Sequence, residues 1–149
     1  MTMKVFSPSV ARVPPADLWS VVGLEVQDGI ALMGRISEGL EGDVARRFSD
    51  WTNIPASELR KMSGIPNTTF NRSIKARFTA DQSERIIRVI RVLARAIELF
   101  EGDKEAANQW LNEKNRALNW QKPADVLSSE TGALEVIRLI TRIEHGVYS

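Results

Sequence analysis

The sequence predicts an all-α protein, and three observations support this fold class. Apolar residues recur at spacings of three and four along most of the chain, which is the period of a helix buried on one side. We find no segment with the strict alternation of a half-buried strand. Glycine, proline and capping residues divide the pattern into segments of helical length. The chain has 149 residues, 43% of them hydrophobic, which suffices for one compact unit or two small ones sharing a core.

Four short helices are predicted in the first half of the chain, over "ADLWSVV", "DGIALMGRISEGL", "DVARRFSDWTN" and "PASELRKMSG". Asp43 is the predicted N-cap of the third helix, whose inward stripe includes Phe48 and Trp51. Pro55 stands at the start of the fourth helix, and Gly64 is expected to end it in the left-handed conformation.

The second half is predicted to begin with the longest helix, "TADQSERIIRVIRVLARAIELF", where Thr79 and Gln82 have the spacing of a capping box. A shorter helix over "KEAANQWLNEKN" follows, with Trp110 and Leu111 as predicted core residues. The next segment is a loop with one helical turn that starts at Pro123. The terminal helix, "ALEVIRLITRIEHGVYS", is expected to end at Gly146.

Charge is unevenly distributed along the chain. Residues 56–100 carry a net charge of +5, whereas residues 1–55 and 101–149 each carry −2. This pattern is typical of a polyanion-binding segment between other surfaces. Within it, a row of arginines on the longest helix is open to two interpretations, a solvated face that pairs with acidic neighbours or a strip that faces phosphate or a partner. The row consists of Arg85, Arg88, Arg91 and Arg95.

Residues 56–76, "ASELRKMSGIPNTTFNRSIKA", have the sequence shape of a helix-turn-helix, with a short helix, a glycine-containing turn and a second short helix. Ile65 is expected to fill the turn, and Pro66 prevents the first helix from continuing. We expect Asn67 or Thr68 to cap the second helix.

The second helix of this motif has two distinct faces. Phe70, Ile74 and Phe78 recur every four residues and are predicted to be buried. Another face carries polar and basic side chains that can bond to bases and phosphates, and no acidic residue occurs from Lys61 to Ala80 to oppose a phosphate. The predicted DNA-binding residues are Asn67, Thr68, Thr69, Asn71, Arg72, Lys75 and Arg77.

Several function classes are disfavoured by composition. The chain has no cysteine and one histidine, His145, so cysteine-based metal sites and histidine clusters are excluded. Glu130 with Glu144, or Asp125 with His145, are conceivable acid–base pairs of an enzyme, but no nucleophile is paired with a base. We therefore predict no enzyme, no cofactor and no metal. The start of the chain shows neither a signal peptide nor a membrane span, so we expect a cytoplasmic protein.

Motifs of the second half occur in a recognisable order. They are Gly64-Ile65-Pro66, Ser83 with Arg85, Ala107 with Trp110-Leu111, Pro123 with Val126-Leu127, Glu130 with Gly132, Arg142-Ile143, Gly146-Val147 and Ser149. Over roughly residues 36–149 the chain resembles the Xre/MbcA/ParS-type antitoxins.

The resemblance implies a DNA-binding helix-turn-helix domain over residues 1–100, which also dimerises, and a small helical toxin-binding domain over residues 101–149. The implied partners are the operator DNA of its own operon and a RES-domain toxin that depletes NAD, whose active site the antitoxin blocks. A homodimer is expected, and its surface is left open. Apolar residues of the first segment are candidates for it: Trp19, Val21, Val22, Leu32 and Met33.

The implied toxin-binding residues lie toward the C-terminus: Trp120, Arg138, Arg142, Glu144, His145, Val147, Tyr148 and Ser149. Trp120 is open to a second interpretation as a core residue. Many relatives have Gly-Gly where this chain has Asn119-Trp120, and tyrosine where it has His145, which puts the local turn and the choice of partner in question. The alternative function is a stand-alone helix-turn-helix regulator whose C-terminal half dimerises or senses a ligand.

Overall fold

The chain folds into helices joined by short turns, as the spacing of its apolar residues predicts. The computed structural model describes residues 17–24 and 29–146, so residues 1–16, 25–28 and 147–149 lie outside it. The described residues form eight α-helices and two 3-10 turns, with no strand among them. The helices are α1 (Leu18–Val21), α2 (Gly29–Glu38), α3 (Asp43–Thr52), α4 (Ala56–Ser63), α5 (Asn67–Ser73), α6 (Ala80–Leu99), α7 (Lys104–Leu111) and α8 (Glu130–Glu144), with the 3-10 turns at Arg116–Leu118 and Pro123–Val126.

Helix α6 lies at the centre of the protein and contacts α1, α2, α4, α7 and α8. The predicted capping box starts it: the Thr79 hydroxyl accepts from the Gln82 amide at 3.1 Å, and the Gln82 side chain accepts from the Thr79 amide at 2.9 Å. Most of its apolar residues are buried, among them Ile86, Ile90 and Leu93. A helix of this length that is apolar around much of its circumference must be enclosed by other helices, as α6 is.

Both halves of the described chain share one hydrophobic core. Leu111, Leu127 and Val136 of the C-terminal half belong to the same buried cluster as Phe48 and Leu59. The predicted boundary between residues 100 and 101 remains a prediction, since α6 provides the packing surface for helices on both sides of it.

Two predicted helix starts were wrong by one or two residues. Gly42, not Asp43, is the N-cap of α3, because Asp43 is already the first helical residue; the Gly42 amide bonds to the Ala76 carbonyl at 2.9 Å. The Asp43 carboxylate instead forms ion pairs with the two arginines that follow it, at 3.2 and 2.8 Å. Neither Asn67 nor Thr68 caps α5, since Pro66 takes the N-cap position in an extended conformation.

The candidate dimer surface is only partly available. Trp19, Val22 and Leu32 are buried in the core, which excludes them from a surface contact. Val21 is partly exposed, and Met33 is 62% exposed, one turn from Ile30, which is 81% exposed.

Candidate functional site

The helix-turn-helix predicted over residues 56–76 is present as α4, a three-residue turn and α5. Gly64 ends α4 in the left-handed conformation, with φ of 78°, and its amide bonds to the carbonyls of the last helical turn. Ile65 is buried beneath the turn, as predicted. The Arg60 guanidinium donates to the Ile65 carbonyl at 3.0 Å, which satisfies a backbone acceptor where the chain changes direction.

The polar face formed by α5 and the turn that follows it, which carries Lys75, is open to solvent. Thr68, Arg72 and Lys75 are exposed, and none of the three forms a hydrogen bond or ion pair with another described side chain. Asn71 and Asn67 are exposed one turn apart, with a weak contact of 3.4 Å between their side-chain amides. These five residues therefore remain available to a ligand.

Thr69 and Arg77, the other two predicted DNA-binding residues, are engaged by the protein itself. The partly buried Thr69 donates its hydroxyl to the Pro66 carbonyl at 3.1 Å. The Arg77 guanidinium donates to the Gly39 carbonyl, and its backbone pairs with that of Glu41. Arg77 is thus a bridge between the segment after α5 and the loop before α3, although it remains exposed.

Apolar side chains of α5 and the segment after it pack against the core. Phe70 and Phe78 are buried, as predicted, with their ring centroids 5.6 Å apart. Ile74 is only partly buried and packs at the edge of the core. The helix ends at Ser73, earlier than the sequence predicts, so Phe78 is buried from the segment that follows α5. The burial of Phe70 leaves the opposite face of α5 directed outward.

The end of α5 is fixed by contacts that sequence reasoning missed. The Ile74 carbonyl accepts from Arg46 at 3.1 Å, and Gly42 lies so close that a Cβ atom there would stand 2.0 Å from the same oxygen. The Phe78 amide bonds to the Leu40 carbonyl at 2.8 Å. In the sequence Gly42 is recognisable only as a helix breaker; its need for a small residue depends on a segment more than thirty positions away.

Ser83 connects this region to α6. Its side chain is fully buried, and its hydroxyl accepts from the Leu40 amide at 2.8 Å. Nearby, the Ser73 hydroxyl at the end of α5 donates to Gln82 of the capping box at 2.8 Å. Serine in the "Ser-x-Arg" motif therefore has a structural role, the satisfaction of a buried backbone amide.

The arginine row of α6 mostly pairs with acidic neighbours, which favours the first of its two interpretations. Arg85 pairs with Asp81 at 3.1 Å. The Arg88 side chain is only 15% exposed, pairs with Glu130 at 3.2 Å and donates to the Ser128 carbonyl at 3.0 Å, so it attaches the start of α8 to α6. Arg91 is exposed and forms no ion pair within the described residues.

The other end of α8 is attached to α6 by Arg95. Its guanidinium donates to the Glu144 carboxylate at 2.6 Å and to the Thr141 hydroxyl at 3.1 Å. Glu144, a predicted toxin-binding residue, is therefore engaged within the chain. Glu130 and Glu144 each pair with a different arginine and are about 21 Å apart along the helix axis. They do not form the acid–base pair considered above.

The remaining predicted residues of the C-terminal region are exposed where the structure describes them. Arg138 pairs with Glu135 at 2.9 Å, whereas Arg142 and His145 form no side-chain bond to another described residue. Val147, Tyr148 and Ser149 lie outside the described residues. Gly132 lets α8 begin against the second 3-10 turn, because a Cβ atom there would stand 1.9 Å from the Val126 carbonyl oxygen.

Trp120 is 61% exposed, so its interpretation as a core residue was wrong. Asn119 and Trp120 both adopt left-handed backbone conformations, with φ of 59° and 65°. That conformation is the one a Gly-Gly pair takes without strain, so the turn itself does not require a different path in this chain.

Among the described residues, no helix is long and apolar enough to cross a membrane, and no cluster of acidic or histidine side chains is arranged to hold a metal ion.

Comparison with known proteins assigns a family to this arrangement. Residues 31–91 match the model of the antitoxin Xre-like helix-turn-helix domain, and residues 95–146 match that of the antitoxin Xre/MbcA/ParS C-terminal toxin-binding domain. The chain is 38% identical to a protein named Antitoxin Xre from Photorhabdus laumondii subsp. laumondii and 40% identical to one of the same name from Yersinia enterocolitica. Both alignments cover 99% of this chain and the whole of the relative. The chain belongs to the Xre family of antitoxins, non-enzymatic proteins with a helix-turn-helix domain and a toxin-binding domain.

Proposed function

We propose that this antitoxin neutralises a co-encoded RES-domain toxin and represses the promoter of its own operon as a homodimer in the cytoplasm. The observation that carries the proposal is the match of residues 95–146 to a toxin-binding domain, joined through α6 to a helix-turn-helix. The RES class of the toxin is supported by the ordered motifs of the C-terminal half.

DNA recognition is assigned to the outward face of α5. The face combines two amides, a hydroxyl and two cations, which suits contact with base edges as well as phosphates. Arg72 and Lys75 have no carboxylate partner among the described residues, so their full charge is available to a phosphate. Arg77 and Thr69 support this face by bonds to neighbouring backbone and contribute to it less directly.

Toxin neutralisation is assigned to the C-terminal end of α8, the tail that follows it and the Trp120 loop. A bound antitoxin would inhibit by exclusion: its C-terminal end occupies the approach to the toxin active site and prevents NAD from entering. Arg142 and His145 are the exposed side chains of the last helical turns that have no partner among the described residues. Glu144 supports this end of the helix through its pair with Arg95.

Co-expression with the protein of the adjacent reading frame tests the proposal. Expressed alone, the neighbouring protein is expected to arrest growth and lower cellular NAD, and expression of this chain is expected to restore both. A neighbour that is harmless alone, or that stays toxic beside this chain, contradicts the proposal. A promoter reporter that is repressed by this chain without any complex with the neighbour would favour a stand-alone regulator instead.

A further inference from the structure

The Trp120 loop, residues 114–124, combines residues that pack on the core with a side chain that does not. Its 3-10 turn, Arg116–Leu118, contacts α8, and Leu118 packs against the core. Trp120 is directed away from this packing and leaves 61% of its surface in solvent. An indole ring contributes to stability or binding mainly when its apolar surface is buried. Its exposure here leaves a large apolar surface in contact with solvent in the isolated chain.

Hydrogen bonds within the loop fix the backbone that carries the ring. The Trp120 amide donates to the Asn115 carbonyl at 2.9 Å, and the Asn115 amide donates to the Gln121 carbonyl at 3.1 Å. The Asn115 side chain accepts from the Ala117 amide at 2.9 Å. The Gln121 amide donates to the Leu118 carbonyl at 3.1 Å. A loop closed in this way loses little backbone conformational entropy when a partner binds.

The backbone beneath the ring is strained. Asn119 tolerates the left-handed conformation, but a tryptophan with φ of 65° does not adopt it readily. Strained residues of this kind occur preferentially at functional sites, where the surrounding structure holds them in place. The strain and the exposure fall on the same residue, and neither is explained by packing of the core.

The surface around the ring is basic. From Lys114 to Ala124 the loop contains Lys114, Arg116 and Lys122 and no carboxylate. None of these three cations pairs with an acidic residue within the described part of the chain. A partner that receives the ring therefore meets a loop with three unpaired positive charges, and we call the loop surface beside the ring its rim.

We propose that the Trp120 loop is a preformed anchor that inserts its indole into an apolar pocket with an acidic rim on the cognate toxin. The proposal rests on the function proposed above and names a recognition element distinct from the tail. Its occupant is argued from the position of the loop within the matched toxin-binding domain and from the charge of its rim. An exposed tryptophan beside cations also suits stacking on a nucleic acid, which is the competing outcome of the test.

The test measures the dissociation constant between the full chain and the protein of the adjacent reading frame by isothermal titration calorimetry. Trp120→Ala is expected to weaken the complex roughly 30-fold or more, the loss typical of a central aromatic contact. Trp120→Phe should recover most of the affinity, because it restores an aromatic ring. Arg116→Glu should raise the dissociation constant several-fold at low salt and less at high salt, since it reverses one charge of the loop.

Two controls separate recognition from folding. Ile30→Ala removes an exposed apolar side chain on α2 and should leave toxin affinity unchanged. Trp120→Gly should melt at a temperature no lower than Trp120→Ala, because glycine relieves the left-handed strain, and it should still lose toxin affinity.

The outcomes are distinguishable. If the unmodified chain does not bind the neighbouring protein, the proposed function fails and the anchor with it. If the unmodified chain binds and Trp120→Ala binds equally well, only the anchor is overturned. A loss of affinity for promoter DNA in Trp120→Ala, with toxin affinity retained, overturns the anchor in favour of a nucleic-acid contact.

Discussion

Gly42→Ala is expected to destabilise the protein, because the added methyl group pushes the end of α5 away from the start of α3. The added Cβ atom would stand 2.0 Å from the Ile74 carbonyl oxygen and 2.5 Å from its carbon, so the two segments must separate by about 1 Å. Gly42 has φ of −57° and ψ of −24°, which alanine adopts freely, so the effect is purely steric.

The expected magnitude combines steric overlap with weakened hydrogen bonds. Overpacking costs about 1–3 kcal/mol. The separation also weakens the bonds from the Gly42 amide to Ala76 and from Arg46 to Ile74, each contributing about 1 kcal/mol. We expect the free energy of unfolding to fall by about 2–4 kcal/mol, measured by urea denaturation followed by circular dichroism. Promoter affinity should fall as well, because the Ile74 end of α5 shifts relative to the core.

Gly34→Ala is the matched control. Gly34 lies inside α2, and a Cβ atom there would meet nothing within 4 Å. Alanine should therefore stabilise the helix by about 0.5–1 kcal/mol. The two glycine-to-alanine changes are thus predicted to shift the free energy of unfolding in opposite directions. A Gly42→Ala variant as stable as the unmodified chain would refute the close packing of the end of α5 on the start of α3.

Three further predictions concern binding and the core. Arg72→Ala combined with Lys75→Ala should weaken promoter binding and reduce its slope against the logarithm of salt concentration by about 2 in a fluorescence-anisotropy titration; unchanged affinity and slope would show that this face does not contact DNA. Deletion of residues 144–149 should weaken inhibition of the toxin more than promoter binding in paired assays, and equal loss of both would contradict the separation of surfaces. Ser83→Ala should lower the free energy of unfolding by about 1–3 kcal/mol, because it leaves the buried Leu40 amide unsatisfied; a melting curve like that of the exposed Ser57→Ala control would contradict this role.

Local signals were sufficient to predict most of the fold. The capping box of Thr79 and Gln82 and the left-handed Gly64 depend on neighbouring residues alone, and both are confirmed. Phe70 and Phe78 are both buried as predicted, but helical period accounts for Phe70 only, because α5 ends at Ser73. Asp43 was misplaced as a cap because it is already the first residue of α3, and the preceding Gly42 amide bonds to Ala76, far along the chain.

The surfaces were harder to predict because their chemistry depends on contacts across the sequence. Arg77 and Glu144 both look like free charges in the sequence, yet one bonds to a carbonyl 38 residues away and the other to an arginine 49 residues away. Tryptophan is a residue type that is usually buried, so the sequence alone favours a core position for Trp120. In the structure it is exposed, in a loop whose backbone is left-handed. Gly132 and Ser83 were recognised as parts of motifs, whereas their structural roles depend on the packing of distant segments.

The claim that DNA recognition and toxin neutralisation use separate surfaces is tested most directly by a crossed binding experiment. Each binding variant is measured with the ligand that its change is not expected to affect. The dissociation constants are measured for the Arg72→Ala, Lys75→Ala double variant with the toxin and for the 144–149 deletion with promoter DNA. Separate surfaces predict that both constants stay within about threefold of those of the unmodified chain, since neither change alters the core. A large loss of toxin affinity in the double variant, or of DNA affinity in the deletion, would contradict the assignment of the two functions to separate surfaces.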